Sequence, residues 1–211
     1  MKNDTLGLYG LEDSAYLRLV ARRAAKEGIK TAWVSGPTPG CEAYVSDTDA
    51  GWPMWDLTPE EDVDNIQHPG LSCCAAGVLR YIYTESPGWR VCIIGRGHAV
   101  QGLAETLKGY EINQCSSTAL DMSYRVSRAD IIVNSAAVVA REVLDAVPAL
   151  AMVIDISGSM GPWGGTDGCK YVPRGYVGAW NLTELLRRVK EQIRKERDAD
   201  GRKEGCGADG V

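Results

Sequence analysis

Pro87–Leu120 reads PGWRVCIIGRGHAVQGLAETLKGYEINQCSSTAL. The pattern is strand, glycine turn, helix and second strand. Val91 to Ile94 is a short apolar run of the kind carried by a parallel strand buried on both faces. Gly95 and Gly97 follow at once. They permit a tight turn and a close backbone approach to a pyrophosphate, with the N-terminal amides of the next helix facing that anion. The spacing departs from G-x-G-x-x-G, because the third glycine falls at Gly102. The expectation is the first half of a dinucleotide-binding unit, set against an ordinary glycine-rich strand–helix turn.

The second strand bears on the choice of nucleotide. An NAD-specific unit carries an Asp or Glu about 20 residues beyond the glycines, bonded to the ribose hydroxyls. Here Ile112 to Thr118 reads INQCSST, with no acid until Asp121. Arg96 in the turn, with the hydroxyls of Ser116, Ser117 and Thr118, suits a 2′-phosphate instead, since guanidinium–phosphate bonds are strong and geometrically selective. NADP is therefore expected over NAD, against the plainer reading of Arg96 as a solvated loop residue.

Working outward, Leu6–Tyr9 and Thr31–Val34 read as strands. Between them Asp13 or Ser14 caps a helix that runs to about Glu27 and stops at Gly28. Gly36–Pro59 is rich in Gly, Pro and Asp and shows no clear period. Gly77–Thr84 reads as the end of a helix before a boundary at Pro87. Ala129–Asn134 and Ala151–Ile156 are further buried strands, Arg141–Ala146 is a short helix, and Cys169–Ala179 reads as a glycine-bearing loop. Asn181 is placed to cap a last helix, with Glu184 completing a capping box. Alternating strands and helices argue for an α/β fold with a mainly parallel sheet. The expected division is a small α/β domain over 1–86, a Rossmann-like domain over 87–198, and a disordered tail over 199–211. The last helix, 181–198, is expected to pack back near the first domain.

At 211 residues the chain is long enough for one good core, or for one domain with a smaller partner. The net charge of −5, with no basic tract interleaved with aromatics, argues against nucleic acid. No apolar run approaches the roughly 20 residues of a membrane span, and no signal-peptide pattern opens the chain, so a cytoplasmic protein is expected. Seven cysteines without a CxxC, and only two histidines, are too few for a structural zinc site, and no metal is expected. Ser72, Ser135 and Ser159 give no triad, because neither His68 nor His98 has an acid partner legible in the sequence.

Several collinear fragments resemble the methylenetetrahydrofolate dehydrogenase/cyclohydrolase family. SAYLRLVARRAAKEGIK is similar to its first helix, EDVDNIQHPG to its DVDG segment, and SCCAAGVLRYI to PCTPxG with the first cysteine and the glycine kept. GRGHAVQG matches GRSxxVG in part, CSST stands where CHSxT is expected, and ADIIVNSA matches the strand that begins ADI. VIDISG resembles VIDVG, and VPRGYVGAWNLTELL resembles VPGGVGPMT. The resemblance implies a smaller folate domain, a cleft, an NADP domain closed by the final helix, and a homodimer. It implies oxidation of 5,10-methylenetetrahydrofolate by NADP, followed in many members by hydrolysis of the methenyl product.

By the same resemblance Asp64 hydrogen-bonds the pterin, Tyr16 stacks on or bonds to the folate, and Pro173 and Gly175 belong to a loop closing on nicotinamide and folate. Gly95, Arg96, Gly97, Ser116 and Ser117 carry over to the nucleotide, with His98 near its phosphates. Ala136, Ile156 and Gly158 lie at strand ends, where a parallel sheet binds ligands. Trp52, Met54 and Trp55 read either as a pterin wall or as core. Without the resemblance, Asp64 reads as one member of a solvated acidic run from Glu60 to Asp64, and Tyr16 as a core tyrosine. The departures are specific. The family expects SxxYxxxK on the first helix, but matching Tyr16 puts Val20 at the lysine, and matching Ser14 puts Ala21 there. Gly51 falls where a glutamine supports that lysine. The expected function is thus dehydrogenation with hydrolysis weak or lost. The alternatives are a minimal bifunctional enzyme, in which another group replaces the lysine, and a non-catalytic folate- or nucleotide-binding relative.

Overall fold

The computed structural model describes residues 5–47, 55–85, 88–161 and 168–205. The expectations for Gly51, Trp52 and Met54 lie outside the described residues. The chain forms two compact units, one of residues 1–69 with 185–211, the other of residues 70–184.

In the first unit, β1 (Thr5–Tyr9) lies between β2 (Lys30–Val34) and β3 (Cys41–Ser46), all parallel. Gly7 is needed here because a Cβ would stand 2.4 Å from the Tyr44 ring. Helix α1 (Ala15–Lys26) starts where expected: the Ser14 hydroxyl accepts the Leu17 amide at 3.2 Å and donates to the Asp47 carboxylate. Leu17, Val20 and Ala24 form its fully buried stripe. Strand β3 falls in the stretch that shows no period. Its burial is nearly continuous, so the apolar–polar alternation that betrays a half-buried strand is missing.

The second unit begins with α2 (Cys73–Glu85), which lies before the expected boundary at Pro87. Its sheet contains β4 (Arg90–Ile94), β5 (Glu111–Cys115), β6 (Ile131–Asn134), β7 (Met152–Asp155) and β8 (Lys170–Val172). All pairs are parallel and the order is β5-β4-β6-β7-β8. Successive side chains along the central strands enter two different cores. Ile93, Val133 and Ile154 join one, while Ile94, Ile132 and Val153 join the other. That is why these strands read as unbroken apolar runs. Asp130 anchors the start of β4, accepting the Trp89 and Arg90 amides and the Arg90 guanidinium, whose bonds hold its carboxyl below the usual range.

Three expectations are corrected. The helix after the glycine turn is broken into a 3-10 turn at His98–Val100 and a single helical turn, α3 (Leu103–Thr106). The break is Gly102, at φ 74°, where a Cβ would come within 2.7 Å of the Gly70 carbonyl oxygen. The third glycine thus serves a close backbone approach, and a one-turn helix offers no extended row of amides to an anion. Next come α4 (Met122–Ser127) and α5 (Arg141–Leu144). The last helix, α6, then spans Arg174–Gly205. It therefore starts directly after Pro173, seven residues before Asn181, and the expected loop holds β8 and two helical turns. Gly175 and Gly178 conceal those turns, because glycine lowers helix propensity. Trp180 holds them in place by stacking on Tyr81 at 4.6 Å, over Gly77, whose Cβ would lie 2.6 Å from the Trp180 side chain. The helix also continues past Asp198 to Gly205, where a disordered tail is expected, and 206–211 lie outside the described residues.

Candidate functional site

In an open parallel sheet, ligands bind beyond the carboxyl ends of the strands, where the winding reverses. In the second unit the reversal lies between β4 and β6. Gly95 leaves β4 at φ 110°, and a Cβ there would lie 2.1 Å from the Ser135 hydroxyl oxygen. Ser135 closes that crossing: its amide and hydroxyl both donate to the Ile94 carbonyl, at 2.9 and 3.1 Å. Gly97 is exposed, and a Cβ on it would meet nothing within 4 Å, so its backbone is open to an approaching group.

The β4–β5 register pairs Ile94 with Cys115, so Gly95 and Arg96 leave one strand in step with Ser116 and Ser117 leaving its neighbour. Arg96 and Ser117 are exposed, and Ser116 is half-buried. Arg96 makes no ion pair among the described residues. The Ser116 and Thr118 hydroxyls lie 3.3 Å apart. An open glycine backbone, an unneutralised guanidinium and a hydroxyl cluster fit a phosphorylated dinucleotide. His98 is half-buried and turned toward Gln101, with Nδ1 at 3.1 Å from Oε1.

The remaining strand ends are held by a buried network that sequence reasoning missed. Asp155 is fully buried at the end of β7. It accepts the amides of Gly158 and Met160, each at 3.0 Å, the Tyr171 hydroxyl at 2.8 Å and the Asn134 side-chain amide at 2.9 Å. Asn134, buried at the end of β6, accepts the Ala136 amide at 3.1 Å, and Ser159 donates to the Ala136 carbonyl at 2.6 Å. The loops bearing Ala136, Ile156 and Gly158 are thereby tied to each other and to β8. Burial first, and the Asp155 carboxylate second, push the Tyr171 phenol up to about 12. The only signal in the sequence is an acid closing an apolar strand before the small residues SGSMG. Pro173 and Gly175 sit at the junction of β8 and α6, where the Arg174 stem passes 3.6 Å from the position of a Cβ on Gly158.

In the first unit the acidic run is not a solvated face. Asp62 and Asp64 are buried, while Glu60 is exposed. Asp62 accepts the amides of Ile66, Gln67 and His68 at 2.6, 2.8 and 2.9 Å, and lies 3.0 Å from His68 Nδ1. It closes residues 62–68 into one turn that includes Asp64, with Asn65 at φ 54°. His68 therefore has the acid partner that the sequence did not reveal. Gln67 fastens this turn to the chain before it, donating to the Trp55 carbonyl and accepting the Leu57 amide. Trp55 packs edge-on against Tyr9 and Tyr44. Tyr16 is half-buried, Val20 is fully buried and Ala21 is half-buried, so neither possible lysine position offers a charged group. A cavity of about 280 Å³ in this unit, lined by Cys41, Thr58 and several glutamates, contains none of the expected site residues. Among the described residues no cluster of His, Cys, Asp or Glu is placed to hold a metal ion. Among them, too, no helix is long and apolar enough to cross a membrane.

No protein-family model and no curated protein matches the chain. Solved structures do. The bifunctional methylenetetrahydrofolate dehydrogenase/cyclohydrolase from Campylobacter jejuni is similar at 17% identity and TM-score 0.71, covering 92% of this chain and 89% of that one. A 5,10-methylenetetrahydrofolate dehydrogenase from Bombyx mori is similar at 17% identity and TM-score 0.67, covering 92% and 88%. Quinate dehydrogenase from Corynebacterium glutamicum, in complex with NAD, is similar at 14% identity and TM-score 0.53, covering 92% and 98%. At these identities the likeness is one of fold. The chain has a Rossmann-like α/β architecture that resembles NAD(P)-dependent dehydrogenases, among them folate and quinate enzymes.

Proposed function

We propose that this chain oxidises 5,10-methylenetetrahydrofolate with NADP in one-carbon metabolism, and that hydrolysis of the methenyl product is slow. The reading is supported above all by where the family-like fragments fall. GRGHAVQG, CSST, ADIIVNSA, VIDISG and VPRGYVG, scattered along the sequence, all end at the carboxyl edge of one five-stranded sheet. In this reading Gly95 and Gly97 leave room for the diphosphate, and Arg96 with Ser116 and Ser117 takes the 2′-phosphate. Ala136, Ile156 and Gly158 border the dinucleotide, with His98 near its phosphates. Asp64 and Tyr16 hold the folate, and Pro173 and Gly175 shape the nicotinamide side. NADP, when bound, supplies the hydride acceptor. The protein's part is proximity and orientation, which need no lysine. Hydrolysis must activate water and move protons, and α1 offers no amine for that at Val20 or Ala21, the two positions matched to the family's lysine. The protein is proposed to act in the cytoplasm as a homodimer.

The test is purified protein with methylenetetrahydrofolate and NADP. We expect NADPH to form and methenyltetrahydrofolate to accumulate behind it. Absence of NADPH formation, with NADP still bound, would replace this reading with that of a non-catalytic folate- or nucleotide-binding relative. Rapid enzyme-dependent loss of the methenyl absorbance would show a fully bifunctional enzyme.

A further inference from the structure

Cys92 and Cys115 are free thiols, 0% and 3% exposed. In the β4–β5 register Cys92 stands opposite Asn113 and Cys115 opposite Ile94, so the two cysteines are diagonal neighbours on adjacent strands. Their side chains enter one apolar core on the same face of the sheet, and the two thiols hydrogen-bond there. That bond pushes the Cys92 thiol up. The same bond first, then the Arg125 and Arg96 guanidiniums, bring the Cys115 thiol down to about 7 against burial and Asp121. Cys115 is thus the thiol that ionises, with Cys92 as its proton donor. Cys115 also pins two chain segments together. Its carbonyl accepts the Gly95 amide at 2.8 Å, and the Gln114 side chain donates to the Gly95 carbonyl at 3.0 Å. Arg96 comes directly after Gly95, and Ser116 and Ser117 directly after Cys115. The pair therefore lies under both arms of the candidate 2′-phosphate seat, at the end of an edge strand held by β4.

We propose that Cys92 and Cys115 are an oxidation site, a dithiol that peroxide converts to a disulfide, and that the disulfide loosens the adjoining seat for NADP. The effect on NADP rests on the cofactor reading above; the dithiol does not. Peroxide reaches the sulfurs as the edge strand opens. The Cys115 thiolate attacks one peroxide oxygen, the O–O bond breaks, and hydroxide leaves with the bonding pair, so that Cys115 becomes a sulfenic acid. That hydroxide takes the Cys92 proton and becomes water. The Cys92 thiolate then attacks the Cys115 sulfur, the S–O bond breaks, and a second hydroxide leaves and is protonated by solvent. Two thiols are oxidised by two electrons, and one peroxide is reduced to two waters. A disulfide needs its Cβ atoms about 3.5–4.5 Å apart, and diagonal neighbours on one face of a sheet start further apart than that. The bond therefore closes only as the end of β5 shifts, which carries Ser116 out of step with Gly95. A disulfide strained in this way is readily reduced, as a reversible switch requires.

The experiment treats the intact native protein with hydrogen peroxide and reads it by peptide mapping, by hydrogen exchange at Gly95 and by NADP titration. The map should show a Cys92–Cys115 link that dithiothreitol reverses. The Gly95 amide should exchange faster in the oxidised protein, because its acceptor has moved. NADP should bind on the order of 10-fold more weakly after oxidation, a usual size for coupled sites, and recover on reduction. Cys92→Ala has no resolving thiol beside Cys115, so dimedone should trap the Cys115 sulfenic acid in that variant. A link from Cys115 to Cys169, or a Cys115 sulfinic acid in place of the Cys92 link, overturns the dithiol. A Cys92–Cys115 link that leaves both Gly95 exchange and NADP affinity unchanged overturns the switch. A link that raises Gly95 exchange, in a protein whose reduced form binds no NADP, supports the oxidation site and removes the cofactor reading.

Discussion

An arginine without a carboxylate partner keeps its charge for a ligand, and among the described residues Arg96, just after β4, has none. If it meets the 2′-phosphate, Arg96→Ala should weaken NADP binding by roughly 1.5–3 kcal/mol, the worth of a charged hydrogen bond, and leave NAD binding nearly unchanged. Calorimetric titration with both cofactors checks this, and equal losses would remove Arg96 from the phosphate. Tyr171 gives a prediction in pH. Its folded-state pKa of about 12 lies above the ordinary value of about 10. Its contribution to stability is therefore complete below about pH 10 and is lost as pH rises towards 12. Tyr171→Phe, which removes a donor from Asp155, should cost roughly 1.5–3 kcal/mol at neutral pH. Denaturation at a series of pH values should show that gap closing above pH 10, whereas a constant gap would mean that the phenol does not titrate with folding. Arg96 was legible because glycine turns have a sequence signature. Asp155 was not, because its six-residue reach across three strands has none.

Among the elements, α1 carries the departure most relevant to chemistry. Val20 belongs to its fully buried stripe, and Ala21 lies at the edge of that stripe. Val20→Lys should destabilise the protein by roughly 3–5 kcal/mol, since an ammonium would be buried without a partner. Ala21→Lys should cost less than about 1 kcal/mol. Urea unfolding of both variants tests the assignment, and an undisturbed Val20→Lys would mean that this face meets solvent or ligand. The helix itself could be read in advance from its serine cap, its period and its glycine stop. The elements that escaped did so for definite reasons. Strand β3 is nearly buried throughout, yet Glu42 and Ser46 break CEAYVS as an apolar run and turn residues flank it, and the start of α6 is masked by two glycines that tertiary packing tolerates. Gly102 looked like a displaced member of a phosphate motif and instead lets two backbone segments touch.

For the whole molecule, both sheets are wound alike: the first strand in sequence lies between the second and the third. Each unit therefore has a reversal point, between β1 and β3 in one and between β4 and β6 in the other. Apolar runs made this architecture readable, because burial on two faces leaves a continuous trace in the sequence. The site was readable only where a motif is local. His68 and Asp62 are six residues apart, yet their pairing depends on a turn that no periodicity announces.

The buried thiols of this chain make it its own stopwatch. Cys41 is buried in the first unit, and Cys92 and Cys115 in the second. The hydrogen bond between the latter two pushes the Cys92 thiol up and the Cys115 thiol down, but both are buried, so alkylation of either has to wait for the sheet to open. Labelling resolved by peptide in the native state should therefore show Cys41 modified at a rate set by opening of β3, and Cys92 with Cys115 at a separate rate set by opening of β4 and β5. NADP should slow only the second, by a factor that grows with its concentration. Protection of Cys41 by NADP alone would mean that the two units breathe as one. Because the labels are native side chains, the cofactor's place can be mapped in time without altering a residue.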